Sequence, residues 1–300
     1  MQSKDSPYGP VTWYDNSMLD SYRECPRKYW NTWERVLRGV DWHPAGPSYF
    51  AFGHAVHTGM EALFRHSIED AIRAFDTSWD AWVALGGTGD DKRNKRNGHL
   101  LLMGYKERYK QWMQGVRVLE TEYKFSVSIH GYKQGEACYR GVIDHIGETK
   151  DGDVYAIDFK TASMNSANNM IAMRLRNQFM GYYWALSQNP EYAHRLRKRR
   201  FIVDFLISQK SGVEFERQEA IVDDWAIREW LEETALTMRT IEINRALQVW
   251  QKNTQSCHNY GSLCPYFSLC ATAPEMRVKM EDAMFVEKNR DEVSMVGGEF

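Results

Sequence analysis

The pattern of apolar and polar residues changes along the chain from a helical period to the alternation typical of strands. The predicted order is helices, three strands, a crossing helix, two strands, a long helix and a cysteine-rich end, without an internal repeat. Predicted helices cover residues 18–25, 27–37, 49–82, 100–115, 167–187 and 224–250, and predicted strands cover 118–129, 142–149, 154–159, 201–208 and 213–222. This order predicts an α/β fold with a mixed central sheet and helices packed on it.

Local signals set some of the boundaries. Ser17 is the expected N-cap of the first helix, and Pro26 is suited to open the second. Residues 86–99 are predicted to form a polar loop whose basic side chains are solvated, with phosphate contact as the alternative. Residues 275–300 read as a polar tail that we expect to be poorly ordered.

Three of the charged residues in the predicted hairpin, residues 139–161, are unexpected in a plain hairpin. Asp144 and Asp158 flank the Asp151-Gly152 turn almost symmetrically, so we expect them nearly opposite each other on adjacent strands. Lys160 follows Asp158 by two residues and therefore shares its face, roughly 6–7 Å away. Paired carboxylates repel unless a cation lies between them, and burying them is costly. The pattern fits a divalent metal beside a lysine, while solvated charges on an exposed hairpin are the alternative.

The composition is that of a folded protein and limits its partners only weakly. Of the 300 residues, 43% are hydrophobic and 26% are charged, which argues against global disorder. A formal net charge of −2 neither favours nor excludes DNA, so local patches must supply any affinity for phosphate. Residues 1–17 contain no signal-peptide core, and no apolar run is long enough for a membrane span. We therefore expect a cytoplasmic protein without a membrane partner.

Cysteines cluster near the carboxyl end. Of five in the chain, three fall within residues 257–270. Because a reducing compartment disfavours disulfides, this cluster predicts a metal or iron–sulfur site. Cys25, taken alone, fits a small buried hydrophobic residue.

Short motifs of one nuclease family occur in order along the chain. They are Gly53 to His57 (GHAVH), Gly141 to Asp144, Asp158-Phe159-Lys160 followed by Thr161, and Gln178 to Tyr182. Each motif is weak alone, whereas their shared order is a strong signal. In this combination the chain resembles the RecB-like branch of the PD-(D/E)XK nuclease superfamily, close to exonucleases that carry an iron–sulfur cluster.

The resemblance implies a role for each motif residue. Mg²⁺ or Mn²⁺ would be held by His57, Asp144, Asp158 and the backbone carbonyl of Phe159. Lys160 would orient or deprotonate the attacking water, and Gln178 and Tyr182 would hold the site or contact DNA. Glu122, Thr161 and Arg174 are expected in supporting positions, and Arg174, Gln178 and Tyr182 form a polar stripe on their predicted helix.

The cysteines also resemble the family, with one departure. Cys25 lies in a Cys-Pro-Arg context, and Cys264 and Cys270 keep the family spacing. Six residues separate Cys257 from Cys264, where many members have two, which leaves His258 as a spectator or a substitute ligand. The resemblance implies a [4Fe–4S] cluster held by four cysteines (Cys25, Cys257, Cys264 and Cys270), although four thiolates also suit zinc. The fifth, Cys138, is expected to be buried in its strand.

The resemblance also implies the architecture and the function. Residues 1–274 would form a single nuclease domain with a restriction-endonuclease-like core, its amino- and carboxyl-terminal regions joined by the cysteine cluster. Within it, residues 1–116 are the helical part, 117–222 the catalytic sheet and 223–274 the final helix and cysteine-rich end. The predicted activity is metal-dependent DNA exonuclease in recombination, repair or phage DNA processing, with a helicase or recombination protein as a candidate partner. The alternative is a catalytically idle module that binds DNA ends or a helicase. The intact Asp144, Asp158 and Lys160 favour the enzyme.

Overall fold

Helices and strands alternate along the parts of the chain that the computed structural model describes, residues 13–39, 46–129, 137–163, 172, 175–259 and 262–287. In order the elements are β1 (Trp13–Tyr14), α1 (Asn16–Glu24), α2 (Pro26–Tyr29), a π-helical turn (Trp30–Glu34), β2 (Leu37–Gly39), α3 (Ser48–Arg65), α4 (Ile68–Ala84), α5 (Lys95–Arg108), α6 (Lys110–Gly115), β3 (Val116–Ser128), β4 (Cys138–Thr149), β5 (Val154–Ala162), α7 (Asn177–Gln188), α8 (Pro190–Ala193), β6 (Arg200–Gln209), β7 (Gly212–Ile221), α9 (Asp224–Leu247), β8 (His258–Asn259), β9 (Ser262–Leu263), α10 (Phe267–Ala271), α11 (Arg277–Met284) and β10 (Phe285–Glu287).

The chain divides into two compact units. The first comprises Met1–Trp42, Ser126–Arg140 and Arg228–Phe300, and the second His43–Phe125 and Gly141–Ile227. The hairpin motifs lie in the second unit, and the four clustered cysteines lie in the first. In the described part of the chain, no helix combines the length and the apolar character needed to cross a membrane.

The second unit is built on a mixed sheet, as the order of elements predicted. Strand β5 pairs antiparallel with β4 on one side and parallel with β6 on the other. Strand β7 continues the sheet antiparallel to β6, and β3 pairs with β4. Because the parallel pair needs a crossover, the chain passes through α7 and α8 between β5 and β6.

Alternation along β5 gives the two faces of this sheet different surroundings. Tyr155, Ile157 and Phe159 are buried in one cluster with residues from α3, α4, α5 and β6. Each such side chain contributes roughly 1.5–3 kcal/mol on burial. Asp158 lies on the opposite face, which α7 covers, since Phe179 of α7 stacks on Phe201 of β6 at 4.4 Å between ring centroids. Helices therefore flank both faces of the sheet, and successive residues of the Asp158-Phe159-Lys160 motif on β5 face a polar and an apolar environment in turn.

The single helix predicted over residues 49–82 is wrong, because two helices, α3 and α4, cover this range. The break occurs at His66, whose backbone has φ −135° and ψ −111°. Ser67 then caps α4, accepting a hydrogen bond from the N–H of Asp70 at 3.1 Å and donating one to its carboxylate at 2.8 Å. The run Ser67 to Asp70 is a capping sequence that the continuous apolar period concealed.

The polar loop predicted over residues 86–99 ends earlier than expected. Asn94 caps α5 by accepting a hydrogen bond from the N–H of Asn97 at 3.0 Å, so the helix begins at Lys95. Gly98 lies inside this first turn, where a Cβ atom would come within 2.0 Å of the Phe75 ring. The glycine is thus a packing position rather than a loop signal.

The first unit corrects two expectations at the ends of the chain. Helix α1 is capped by Asp15 and not by Ser17, since Asp15 accepts a hydrogen bond from the N–H of Met18 at 2.8 Å. The tail predicted from residue 275 contains α11 and β10, and β10 pairs antiparallel with β2. Phe285 stacks on Tyr266 with ring centroids 5.6 Å apart, in a small apolar cluster with Leu37. This apolar contact stabilises the folded conformation of a segment that is mostly polar in composition.

Candidate metal centre

Asp144 and Asp158 occupy adjacent strands next to the end of their ladder. The antiparallel register pairs His145 with Ile157, so the preceding residue on β4, Asp144, lies opposite the following residue on β5, Asp158. Asp144 accepts a hydrogen bond from the backbone N–H of Phe159 at 2.7 Å through Oδ2. Both carboxylates are buried, with 8% and 1% of the residue exposed. Their positions are those expected from the symmetry of the turn.

Asp158 is held by three polar side chains. Lys160 Nζ lies 2.8 Å from Oδ2 and donates to Oδ1 at 3.1 Å. Gln178 Nε2 and the Tyr182 hydroxyl each donate to Oδ1 at 3.2 Å, and they lie 2.5 Å from each other. Burial raises the pKa of Asp158, the Lys160 ammonium opposes this shift, and the nearby Asp144 adds to it.

The second oxygen of Asp158 is left without a hydrogen bond. Oδ2 is buried, and no described residue donates to it with hydrogen-bond geometry; its 2.8 Å neighbour is the Lys160 ammonium. A carboxylate oxygen has two lone pairs and can accept a further partner beside this ammonium. Oδ2 therefore offers a coordination position that a cation would use.

Two more potential ligands, His57 and Glu122, converge on Asp144 of this pair. One ligand atom each of His57, Glu122 and Asp144 lies within 4.8 Å of the other two, the one such triplet of His, Cys, Asp or Glu among the described residues. His57 Nδ1 is 3.5 Å from Asp144 Oδ2. Oxygen donors with one imidazole suit Mg²⁺ and Mn²⁺, and the imidazole favours Mn²⁺. The donor set fits the divalent cation that the motifs implied.

Glu122 is predicted to support the site from a neighbouring strand, and in the structure its carboxyl group is one of the candidate ligands. Its backbone has φ +50°, a conformation that costs a non-glycine residue on the order of 1–2 kcal/mol. The residue as a whole is exposed, yet its carboxyl group lies close to His57 and Asp144. Burial of that group and the charge of Asp144 raise its pKa to about 7. Opposing charges on His57 and Arg65 limit the shift.

The strand beside Glu122 is fixed by two residues of α3 that sequence reasoning did not assign. Thr121 donates a hydrogen bond to Glu61 at 3.1 Å, and its backbone carbonyl accepts one from Arg65 at 3.4 Å. Glu61 and Arg65 are themselves paired at 3.3 Å. Glu61 follows His57 by four residues and so shares its helix face, which is the signal that could have identified it.

Thr161 marks where α3 approaches the catalytic strand. A Cβ atom on Gly53 would lie 3.2 Å from Thr161 Oγ1, a tight contact. The glycine at the start of the GHAVH motif therefore lets the helix that carries His57 approach β5 closely. Phe159 supplies its N–H to Asp144 while its ring is buried in the core. Arg174 lies outside the described residues.

The structure thus sorts the predicted site residues into two adjoining groups. His57 and Asp144 gather with Glu122, whereas Asp158 gathers with Lys160, Gln178 and Tyr182. The hydrogen bond from Phe159 to Asp144 links the two groups across the paired strands. Together they offer ligands for one cation, a lysine next to it and two side chains that orient the buried carboxylate.

The four clustered cysteines share one neighbourhood in the first unit. Asn253 donates its N–H to Cys25 Sγ at 3.4 Å, and its carbonyl lies 3.9 Å from Cys257 Sγ. The N–H of Cys264 donates to the carbonyl of Cys257 at 2.8 Å. Burial raises the pKa of Cys270, Arg27 lowers it, and the thiols of Cys264 and Cys25 raise it further. The described thiols do not form a triplet within 4.8 Å.

The structure also describes Cys138 and His258, which lie at the start of β4 and in β8. Cys138, expected to be buried, is half-buried at the first position of β4. Its backbone pairs with Trp13 of β1. His258 is exposed in β8.

Comparison with known proteins identifies the family of the chain. A family model described as the PD-(D/E)XK nuclease superfamily matches residues 16–271. A crystal structure of a candidate exonuclease from Eubacterium rectale is 14% identical, with a TM-score of 0.46 over 91% of this chain and 99% of that one. The crystal structure of SSO0001 is 16% identical, with a TM-score of 0.29 over 61% of this chain and 72% of that one. No curated protein sequence matches the chain.

Proposed function

The chain belongs to the PD-(D/E)XK nuclease superfamily, and from that premise we propose that it is a metal-dependent DNA exonuclease. The observation that carries the proposal is the pairing of Asp144 with Asp158, next to Lys160 on one side and to His57 and Glu122 on the other. A module that only binds DNA gains nothing from two buried carboxylates and a lysine, which are costly to keep together.

We assign the ligands of the cation to His57, Glu122, Asp144 and Oδ2 of Asp158. When bound, the cation supplies positive charge that neutralises the scissile phosphate and makes water nucleophilic near neutral pH. The proximity of its carboxylate to His57 and Asp144 supports Glu122 as a ligand, and the Phe159 carbonyl stays a predicted further ligand. Gln178 and Tyr182 hold Oδ1 of Asp158, so that Oδ2 keeps its orientation toward the cation and Lys160.

Lys160 has the position and the charge for the chemical step. Its side chain is 29% exposed, so the ammonium is anchored on Asp158 while remaining accessible to a substrate. From there it orients the attacking water and stabilises the negative charge that develops on the phosphate. Its effect depends on position, since phosphodiester hydrolysis requires mainly alignment and charge stabilisation.

We further propose that the chain belongs to the RecB-like, iron–sulfur-containing branch and that residues 1–274 act as one nuclease domain. The contacts of Cys25, Cys257 and Cys264 around Asn253, with Cys270 in the same neighbourhood, support a shared site for a [4Fe–4S] cluster, with zinc as the alternative. Burial raises the pKa of Cys264 and Cys270, and the nearby Lys28 and Arg27 ammonium and guanidinium groups partly oppose this shift. Recombination, repair or phage DNA processing, with a helicase or recombination protein as partner, is the predicted setting.

The test is digestion of end-labelled linear DNA and matched closed circles, single- and double-stranded, with Mg²⁺ or Mn²⁺ and with chelator. The proposal predicts cleavage of linear DNA that starts at an end, requires the cation and spares circles. The matched control is Lys160→Ala from the same purification. Cleavage of circles at the same rate would make the protein an endonuclease. If no DNA is cleaved in a cation-dependent manner, the proposal that the protein is a nuclease enzyme is wrong.

A further inference from the structure

Two aromatic side chains are exposed side by side at the start of α3. Tyr49 is 53% exposed and Phe50 is 59% exposed. Their ring centroids lie 4.6 Å apart with planes inclined by 38°. Single exposed apolar residues are common and need no function, but two aromatic rings packed on each other leave exposed ring faces on which further flat groups can stack.

This aromatic pair lies on the helix that carries the metal ligand. Phe50, His54, His57 and Glu61 recur at intervals of four, three and four residues, so they share one face of α3. His57 precedes Glu61 by one turn and contacts Asp144 at 3.5 Å. Phe50 is seven residues from His57, a distance of about 10 Å along the axis.

The same helix is in close contact with the catalytic strand near the pair. Gly53, one turn after Phe50, approaches Thr161, the residue after Lys160. The aromatic pair therefore lies about one helical turn along α3 from the point where this helix meets Thr161. A nucleotide strand with a phosphate at His57 and Lys160 would bring its next two or three bases to Tyr49 and Phe50, at about 3.4 Å of rise per stacked nucleotide.

We propose that Tyr49 and Phe50 form a base-stacking platform that receives a single-stranded DNA end and guides it along α3 to the cation. The inference rests on the proposed nuclease function and specifies its substrate. Aromatic side chains bind unpaired bases of any sequence by stacking. In a duplex the faces of the bases are covered by their neighbours, so exposed rings of this kind discriminate in favour of single strands.

The test separates stacking from catalysis by measuring binding without divalent cations. The variant is Tyr49→Ser/Phe50→Ser, and the matched control is Trp225→Ser, which removes another aromatic residue that is 55% exposed. Fluorescent single-stranded and blunt duplex oligonucleotides are titrated in chelator. The double variant should bind the single strand about 10- to 100-fold more weakly, as expected for the loss of one or two stacked bases, and bind the duplex within about twofold of wild type. Trp225→Ser should match wild type on both.

An abasic scan identifies the contact itself. Oligonucleotides lacking one base at each of the first six positions from the end are titrated against wild type and the double variant. Removing the stacked base should weaken wild type and leave the double variant unaffected, whereas Tyr49→Phe/Phe50→Tyr should behave as wild type. Equal binding of single strands by wild type and double variant, or an equal loss on every abasic strand, would overturn the platform. Cation-dependent cleavage in the wild type, assayed separately, reports on the nuclease itself, so the two proposals fail independently.

Discussion

The backbone N–H of Phe159 donates a hydrogen bond to Asp144 Oδ2 at 2.7 Å and links β5 to β4 at the candidate metal centre. Phe159 has its ring in the apolar core, between its neighbours Asp158 and Lys160 on the opposite face. One residue thus anchors β5 on the helices while its backbone positions the carboxylate of β4. Asp144 Oδ2 also lies 3.5 Å from His57 Nδ1. The same oxygen therefore contacts both the backbone of a core residue and a side chain of the candidate ligand set.

Lys160→Ala should lower the rate of cleavage by about 10²–10³-fold or more, because it removes charge stabilisation made in the transition state. DNA affinity in chelator should change little. The measurement is digestion of end-labelled DNA with Mn²⁺, together with thermal unfolding to verify the fold. Lys198→Ala is the matched control, since Lys198 is also paired with an aspartate, Asp151, at 2.9 Å but away from the motif. A near-wild-type rate for Lys160→Ala would refute the assignment.

Tyr182→Phe tests how Asp158 is oriented. The hydroxyl donates to Asp158 Oδ1 at 3.2 Å, and its loss should reduce turnover by about tenfold while lowering stability by about 1 kcal/mol. Tyr183→Phe, the neighbouring tyrosine on α7, is the control and should keep full turnover. Steady-state kinetics and denaturant unfolding of both variants decide the matter. Equal turnover of the two variants would remove Tyr182 from the site.

Glu122 should make the stability of the metal-free protein depend on pH. Its pKa in the folded state is raised from 4.5 to about 7, so the folded state holds the proton more tightly than the unfolded chain. The contribution of Glu122 is therefore most favourable below about pH 4.5 and is lost as the pH rises to about 7. In chelator, Glu122→Gln should be more stable than wild type above pH 7, by about 1 kcal/mol after screening by solvent.

The measurement is thermal unfolding of wild type and Glu122→Gln between pH 5 and 8. Glu107→Gln on α5 is a control outside the triplet. Parallel pH profiles for wild type and Glu122→Gln would contradict the raised pKa. With saturating Mn²⁺ the order of stability should reverse, because the cation requires the ionised carboxylate.

The four clustered cysteines should behave as one structural site. Protein purified without air is expected to be brown and to contain about four irons per chain. Changing Cys25, Cys257, Cys264 or Cys270 to alanine should remove the colour and lower solubility, with activity lost as a consequence. Cys138→Ala is the control and should change neither. Colourless protein with about one zinc would support the alternative, and anaerobic protein with neither metal would disprove the site.

The sequence predicted the parts of the site that depend on strand period and turn symmetry. Asp144 and Asp158 could be placed opposite each other because both flank one tight turn, and Lys160 could be placed beside Asp158 by the period of two. The helical spacing placed Gln178 and Tyr182 on one face, and both contact Asp158. Local rules sufficed where the partners lie on neighbouring strands or on one helix.

Other features depend on tertiary contacts that no local rule contains. The carboxyl group of Glu122 lies near His57 and Asp144, and its backbone has φ +50° within a strand. The amino-acid sequence contains no signal for that backbone conformation. The segment after residue 275 folds because Phe285 stacks on Tyr266 and β10 pairs with β2. Ser67 and Asp70 form a cap that marks the break between α3 and α4 at His66. Because apolar residues continue at helical spacing across this point, the pattern favoured one long helix instead.

The most direct test of the metal centre is anomalous scattering from crystals soaked in Mn²⁺. The account predicts a peak between His57, Glu122 and Asp144, with ligand distances of about 2–2.3 Å and Asp158 Oδ2 turned toward it. The same peak should be absent from crystals of Asp144→Asn. A protein that cleaves DNA with Mn²⁺ yet shows no peak at these residues, or one elsewhere, would contradict the account.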